Sequence, residues 1–241
     1  MKRGFTLAEV LITLGVIGVV AALTMPSLLG YYQEKVLISQ AKKSLAGVLN
    51  ALALTRSKAA VENNGEIFVS SNTNDQTADL IFENMNVLKR CKSRDYNCLK
   101  GYTIKMDKPR NDGFGNYIQP TQIGYFARAT LADGSIVAIT QTKYPEGVCQ
   151  NYFKTWDKDK NGNYILDSNG NKVNERLVPE VDCGHILIDV NGLKSPNQYG
   201  ADVYLIYITP YGYIQSTGSI NDVIRNNKLT AQKFDNNGSF K

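Results

Sequence analysis

Glu9 is the one acid in the first 33 residues, and from Val10 to Gln33 no residue carries a charge at all. A carboxylate at the edge of an apolar span is costly to bury and needs a cationic partner. The other candidates for chemistry lie far downstream. Cys91, Cys98, Cys149 and Cys183 suffice for two disulfides in an oxidising compartment. Their spacing is too wide for the closely paired ligands of a zinc site. Oxygen-bearing side chains cluster twice, at Asp157, Asp159 and Asn161 and at Asp189, Asn191 and Asp202, where converging oxygens would suit calcium. His185 is the only histidine, which leaves one candidate for any His-dependent triad, and a structural role is expected for it. No G-x-S-x-G, P-loop or H-E-x-x-H motif occurs. No catalytic residue is assigned, and the chain is not expected to be an enzyme.

The element that must position Glu9 is the apolar run itself. It consists largely of Val, Leu, Ile, Ala and Met and is long enough, at ~20 residues, to cross a bilayer as a helix. Lys2 and Arg3 before it favour keeping the short amino end on the cytoplasmic side. A cleaved secretory signal has an apolar stretch of only ~7–15 residues and a small-residue cleavage site, and this run fits neither. A plain membrane anchor and a buried core helix leave Glu9 unexplained.

The string Gly4-Phe5-Thr6-Leu7-Ala8-Glu9-Val10-Leu11 resembles the class III leader junction of type IV pilins and of type II secretion pseudopilins. The resemblance covers about the first 30 residues. It implies that a prepilin peptidase cuts between Gly4 and Phe5 and methylates the new amino terminus of Phe5. It also implies that Glu9 pairs with the Phe5 ammonium of a neighbouring subunit during assembly. Gly15, Gly18 and Pro26 match the helix-softening positions of such pilins. The implied setting is the bacterial inner membrane, crossed once, with the head facing the periplasm or exterior. From there the subunit would enter a pilus or pseudopilus.

Pro26 lacks an N–H and is expected to kink or loosen the helix, helped by Gly15 and Gly18. Beyond it the pattern turns amphipathic, with Ile38, Ala41, Leu45, Val48 and Leu52 at three- and four-residue spacing. One helix is expected from about Phe5 to Val61, roughly 85 Å long, ending at Glu62-Asn63-Asn64-Gly65. The expected division is a leader at 1–4, a membrane or filament-core half at 5–29, an amphipathic half at 30–62 and a globular head at 63–241.

The head reads as α+β. A short helix is expected over 77–90. Tyr125–Leu131 and Ser135–Thr140 flank Asp133-Gly134, which suits a two-residue hairpin turn. His185–Val190, Val203–Thr209 and Tyr213–Ser216 read as strands. Without helices between them the sheet should be mostly antiparallel, packed against the long helix as in the pilin fold. No fixed-period repeat is apparent, and residues 232–241 read as frayed. A net charge of +5 is mildly basic, with no expected concentration into a patch.

Four cysteines allow three pairings, and the sequence does not choose among them. The expectation adopted is Cys91–Cys98, closing a short loop, with Cys149–Cys183 tying an insertion to the sheet. The stretch from Asp189 to Asp202 is similar to one common in large pilin-like proteins, and a structural loop is favoured there over calcium. Asp157-x-Asp159-x-Asn161-Gly162 opens like an EF-hand loop, but Ser168 stands where a bidentate Glu is needed, which favours a polar hairpin tip. No cofactor is expected apart from this calcium alternative. The expected function is a structural subunit, minor or specialised, of a type IV pilus or type II secretion pseudopilus. Its partners would be prepilin peptidase and other pilin subunits, with the head's ligand open. The alternative is a membrane-anchored exported binding domain that never polymerises.

Overall fold

The computed structural model describes residues 6–109, 117–118, 120–142, 149–215 and 218–233. The chain opens with helix α1, Leu7–Ala59. Thr6 caps it, and the left-handed Ala60 (φ 53°) ends it. At 53 residues it is about 80 Å long. Helix α2 is Asn74–Phe82, followed by strand β1, Val87–Cys91. Next come β2 (Ile104–Lys105), β3 (Tyr117–Ile118), the short helix α3 (Pro120–Ile123), β4 (Ala127–Leu131) and β5 (Ile136–Gln141). Strands β6 (Gln150–Thr155) and β7 (Arg176–Val181) precede β8 (Gly184–Asp189), β9 (Val203–Thr209), β10 (Gly212–Gln215) and helix α4 (Ile220–Asn226).

Six strands form one sheet in the order β1-β4-β5-β8-β9-β10, every neighbouring pair antiparallel. Side chains alternate across it. Val137, Ile139, Ile186, Ile188, Tyr204, Ile206 and Ile208 face the core shared with α1. Ile136, Ala138, Leu187 and Val203 face a second core with Tyr102, Ile104, Met106 and Tyr199. Both faces of β8 and β9 are covered, so these strands read as continuous apolar runs rather than alternating ones. The result is an α+β head with a long amino-terminal helix, consistent with a pilin-like fold.

Only the carboxyl half of α1 meets this head. Ile38, Ala41, Leu45, Val48, Ala51, Leu52 and Thr55 are buried in one stripe, whereas residues 6–33 are exposed apart from a half-buried Ala21. Two bonds fasten the carboxyl-terminal segment where the buried stripe begins. Lys35 Nζ donates to Asn227 O at 3.0 Å, and the Leu229 N–H donates to Glu34 Oε1 at 3.0 Å. Gln232 is not frayed: its N–H donates to Asp107 O at 2.8 Å. Residues 234–241 lie outside the described residues.

Other local expectations change. The helix expected over 77–90 is α2, which starts earlier and stops at Phe82, with a turn over 83–86 and β1 from Val87 onward. Thr73 and Gln76 close a capping box at its start, and pairing of β1 with β4 overrides the helical spacing of Met85 and Leu88. The β4–β5 turn has three residues: the Leu131 N–H donates to Ser135 O, and Gly134 is left-handed at φ 88°. Helix α1 runs through Gly15, Gly18 and Pro26 without a break.

Candidate functional site

The amino-terminal site is built on the first turn of α1. Thr6 and Glu9 close a reciprocal capping box. Glu9 Oε2 accepts from the Thr6 N–H at 2.8 Å and from Thr6 Oγ1 at 2.8 Å, and the Glu9 N–H donates to Thr6 Oγ1 at 3.2 Å. This satisfies two backbone donors that the helix leaves open. The T-x-x-E spacing signals such a box and was not used in the sequence reading. A carboxylate has about four acceptor sites. Both bonds fall on Oε2, and among the described residues Oε1 accepts none, so it remains available to another cation. Gly4 and Phe5 lie outside the described residues.

Behind this turn the helix presents Leu11, Ile12, Leu14, Ile17, Val19 and Leu23 at more than 60% exposure, with no charge until Glu34. It is long and apolar enough to cross a membrane, and none of its most apolar window is buried in the protein. Water would leave such a face uncovered at a cost of about 1.5–3 kcal/mol per large side chain.

The structure brings Asp189 and Asp202 to the two ends of one loop, both fully buried. Asp189 accepts the Tyr102 hydroxyl and the N–H groups of Asn191 (3.2 Å) and Gly192 (2.8 Å). Asp202 accepts the N–H groups of Asn197 (2.9 Å) and Gln198 (2.7 Å). Burial, reinforced by the neighbouring Asp202 charge, pushes the Asp189 carboxyl well above its usual range. Burial pushes Asp202 up to about 6. These oxygens are occupied by protein donors, as a loop-organising role requires. Asn191 Nδ2 reaches Ser195 O at 3.2 Å, inside the loop.

Asp157, Asp159 and Asn161 sit apart from that pair, on an arm made of β6 and β7. Cys149–Cys183 closes the base of this arm. Asp157 binds Arg176 at 2.5 Å and Asn174 at 2.6 Å. The Asp159 carboxyl accepts the N–H groups of Asn163 (2.9 Å) and Asn161 (2.8 Å), which hold it below the usual carboxylate range. Asp167 does the same with Asn171 and Asn169. The two turns are an internal repeat of D-x-N-G-N, eight residues apart, which the sequence reading overlooked. The local bridges Lys158–Tyr164 and Leu166–Lys172 make each a hairpin tip. Among the described residues no group of three or more His, Cys, Asp or Glu is placed to hold a metal ion.

Cys91–Cys98 closes the second disulfide, and the described residues include no free cysteine. His185 Nε2 lies 2.8 Å from Asp182 Oδ2, and its ring packs against Tyr207. The expected even spread of charge does not hold. Seven of the 27 basic residues fall between Lys89 and Lys108, against two acids, Asp95 and Asp107. That excess equals the net charge of the whole chain, +5.

Residues 1–25 match the family model described as Prokaryotic N-terminal methylation motif. The chain carries a class III prepilin leader. That leader, followed by an uncovered apolar helix and a disulfide-bonded head, makes the chain a pilin-like substrate for prepilin peptidase. The leader goes with membrane anchoring and with a structural rather than an enzymatic protein. No curated protein and no solved structure matches the chain.

Proposed function

We propose that this chain is a structural subunit of a type IV pilus or a type II secretion pseudopilus. Prepilin peptidase cuts between Gly4 and Phe5 and methylates Phe5. The exposed half of α1 holds the subunit in the inner membrane, crossing it once, with the head on the periplasmic side. Assembly then transfers that apolar half from lipid to the core of a filament. The observation that carries this reading is the division of α1 into a half packed on the head and a half, uncharged from Val10 to Gln33, that stays exposed among the described residues. A helix that only served the head would not extend some 30 residues beyond it.

Glu9 supplies the register. In low dielectric a carboxylate and an ammonium attract far more strongly than in water. A misplaced subunit leaves both unpaired, at a cost of about 3–5 kcal/mol. Oε1 offers that acceptor while Oε2 holds the helix start.

Mass spectrometry of the mature protein tests the processing step. The expected amino terminus is N-methylated Phe5. An intact Met1, or a start near residue 23, overturns the reading. Sedimentation of sheared filaments tests assembly: the chain is expected in the pellet with other pilins. Its exclusive recovery as a membrane-bound monomer would favour an anchored domain that does not polymerise.

A further inference from the structure

The loop between Cys91 and Cys98 is held from every side by groups that spend their polar atoms on its backbone. Arg128, buried in β4, donates from Nη2 to Asp95 O at 2.6 Å and to Lys92 O at 3.2 Å. Asp75 accepts the Ser93 N–H at 2.9 Å and Ser93 Oγ at 2.6 Å. Asp95 turns its carboxylate inward to the N–H groups of Asn97 and Cys98, both at 3.2 Å. The Arg94 N–H donates to Gly124 O at 2.6 Å, which sets the loop beside Tyr125. A loop fixed this way loses little entropy when it binds something.

What the loop presents outward is basic and aromatic. Lys89, Lys92, Arg94 and Lys100 are exposed and have no carboxylate partner among the described residues. Tyr96 (42% exposed) and Tyr125 (55%) meet edge to face at 6.5 Å, leaving ring surface open beside the cations. Cations that track a phosphate backbone, next to aromatic rings that accept unstacked bases, are the two requirements for holding a single nucleic-acid strand. An acidic glycan would satisfy the cations without using the flat rings.

We propose that the Cys91–Cys98 loop, with Tyr125, is a binding site for single-stranded nucleic acid. Phosphates lie on Lys92, Arg94, Lys89 and Lys100, and bases stack on Tyr96 and Tyr125. This is independent of whether the chain polymerises.

The test uses the full chain in non-ionic detergent and a fluorescein-labelled 20-nucleotide oligo(dT), read by anisotropy. Three to four phosphate contacts should weaken binding about 20- to 50-fold between 50 and 200 mM salt. Lys92→Glu with Arg94→Glu should weaken it at least tenfold, whereas Lys58→Glu, on the far end of α1, should change nothing. Tyr96→Ala with Tyr125→Ala should weaken it at least about 30-fold while leaving the weaker binding of polygalacturonate unchanged. These positions are exposed, and an unaltered thermal melt shows that each variant is folded. Absence of binding at 50 mM salt overturns the proposal, as does indifference to the charge reversals. Tyrosine variants that bind like the parent, or equal affinity for polygalacturonate, also overturn it.

Discussion

The hydroxyl of Tyr102 donates to Asp189 Oδ2 across 87 residues of sequence, joining the segment after the Cys91–Cys98 loop to the last residue of β8. Both side chains are buried, and both carry raised pKa values because burial disfavours their charged forms. Tyr102→Phe removes the hydroxyl and leaves an oxygen of Asp189 without its donor. The expected loss is about 1–3 kcal/mol in urea unfolding followed by circular dichroism. An unchanged midpoint would show that the bond contributes nothing net.

Asp202 gives the head a distinctive pH response. Its carboxyl lies near 6 when folded, against an ordinary 3.8. Between these values the folded chain holds more protons than the unfolded one, so stability falls as pH rises from about 4 to 6. Asp189 is shifted the same way and adds to the slope. Asp157, Asp159 and Asp167 are shifted down and act only below about pH 4. The head should therefore be more stable at pH 5 than at pH 7. Asp202→Asn should shrink that difference by on the order of 1 kcal/mol. Urea midpoints that rise from pH 5 to pH 7 in the parent chain would refute the assignment.

Glu9 has two separable duties, and two variants divide them. Glu9→Gln keeps a side chain able to close the capping box with Thr6 but removes the charge. Glu9→Ala removes both. Both variants should be cleaved normally and both should give few filaments in a shearing assay. Normal filament yield from Glu9→Gln would mean that helix capping, rather than ion pairing, is what assembly needs.

The disulfide at the base of the arm closes 34 residues, and the other closes seven. On the chain-entropy view the first contributes about 3–4 kcal/mol and the second about 2 kcal/mol. Cys149→Ser with Cys183→Ser should therefore lower stability more than Cys91→Ser with Cys98→Ser. It should also speed proteolytic nicking within 150–181, because among the described residues β6 and β7 pair only with each other. Equal effects from the two double variants would contradict the loop-length argument.

Much of this protein follows from local sequence. The apolar run, the three- and four-residue spacing from Ile38 to Leu52 and the Thr6-x-x-Glu9 cap each involve neighbours within a turn or two, so helix α1 is legible almost to its last residue. The strands His185–Val190 and Val203–Thr209 are legible because only a sheet covered on both faces is apolar at every position. The leader motif is likewise contiguous. What tertiary structure alone decides is how distant residues meet. Pairing with β4 turns Val87–Cys91 into a strand although Met85 and Leu88 keep helical spacing. Packing of Tyr102 against the end of β8 gives Asp189 its partner. Burial of Arg128 aims its donors at the carbonyls of the Cys91–Cys98 loop and leaves Lys92, Arg94 and Tyr96 facing outward. Such contacts depend on close approach between segments 30 to 90 residues apart, and no local spacing encodes that approach.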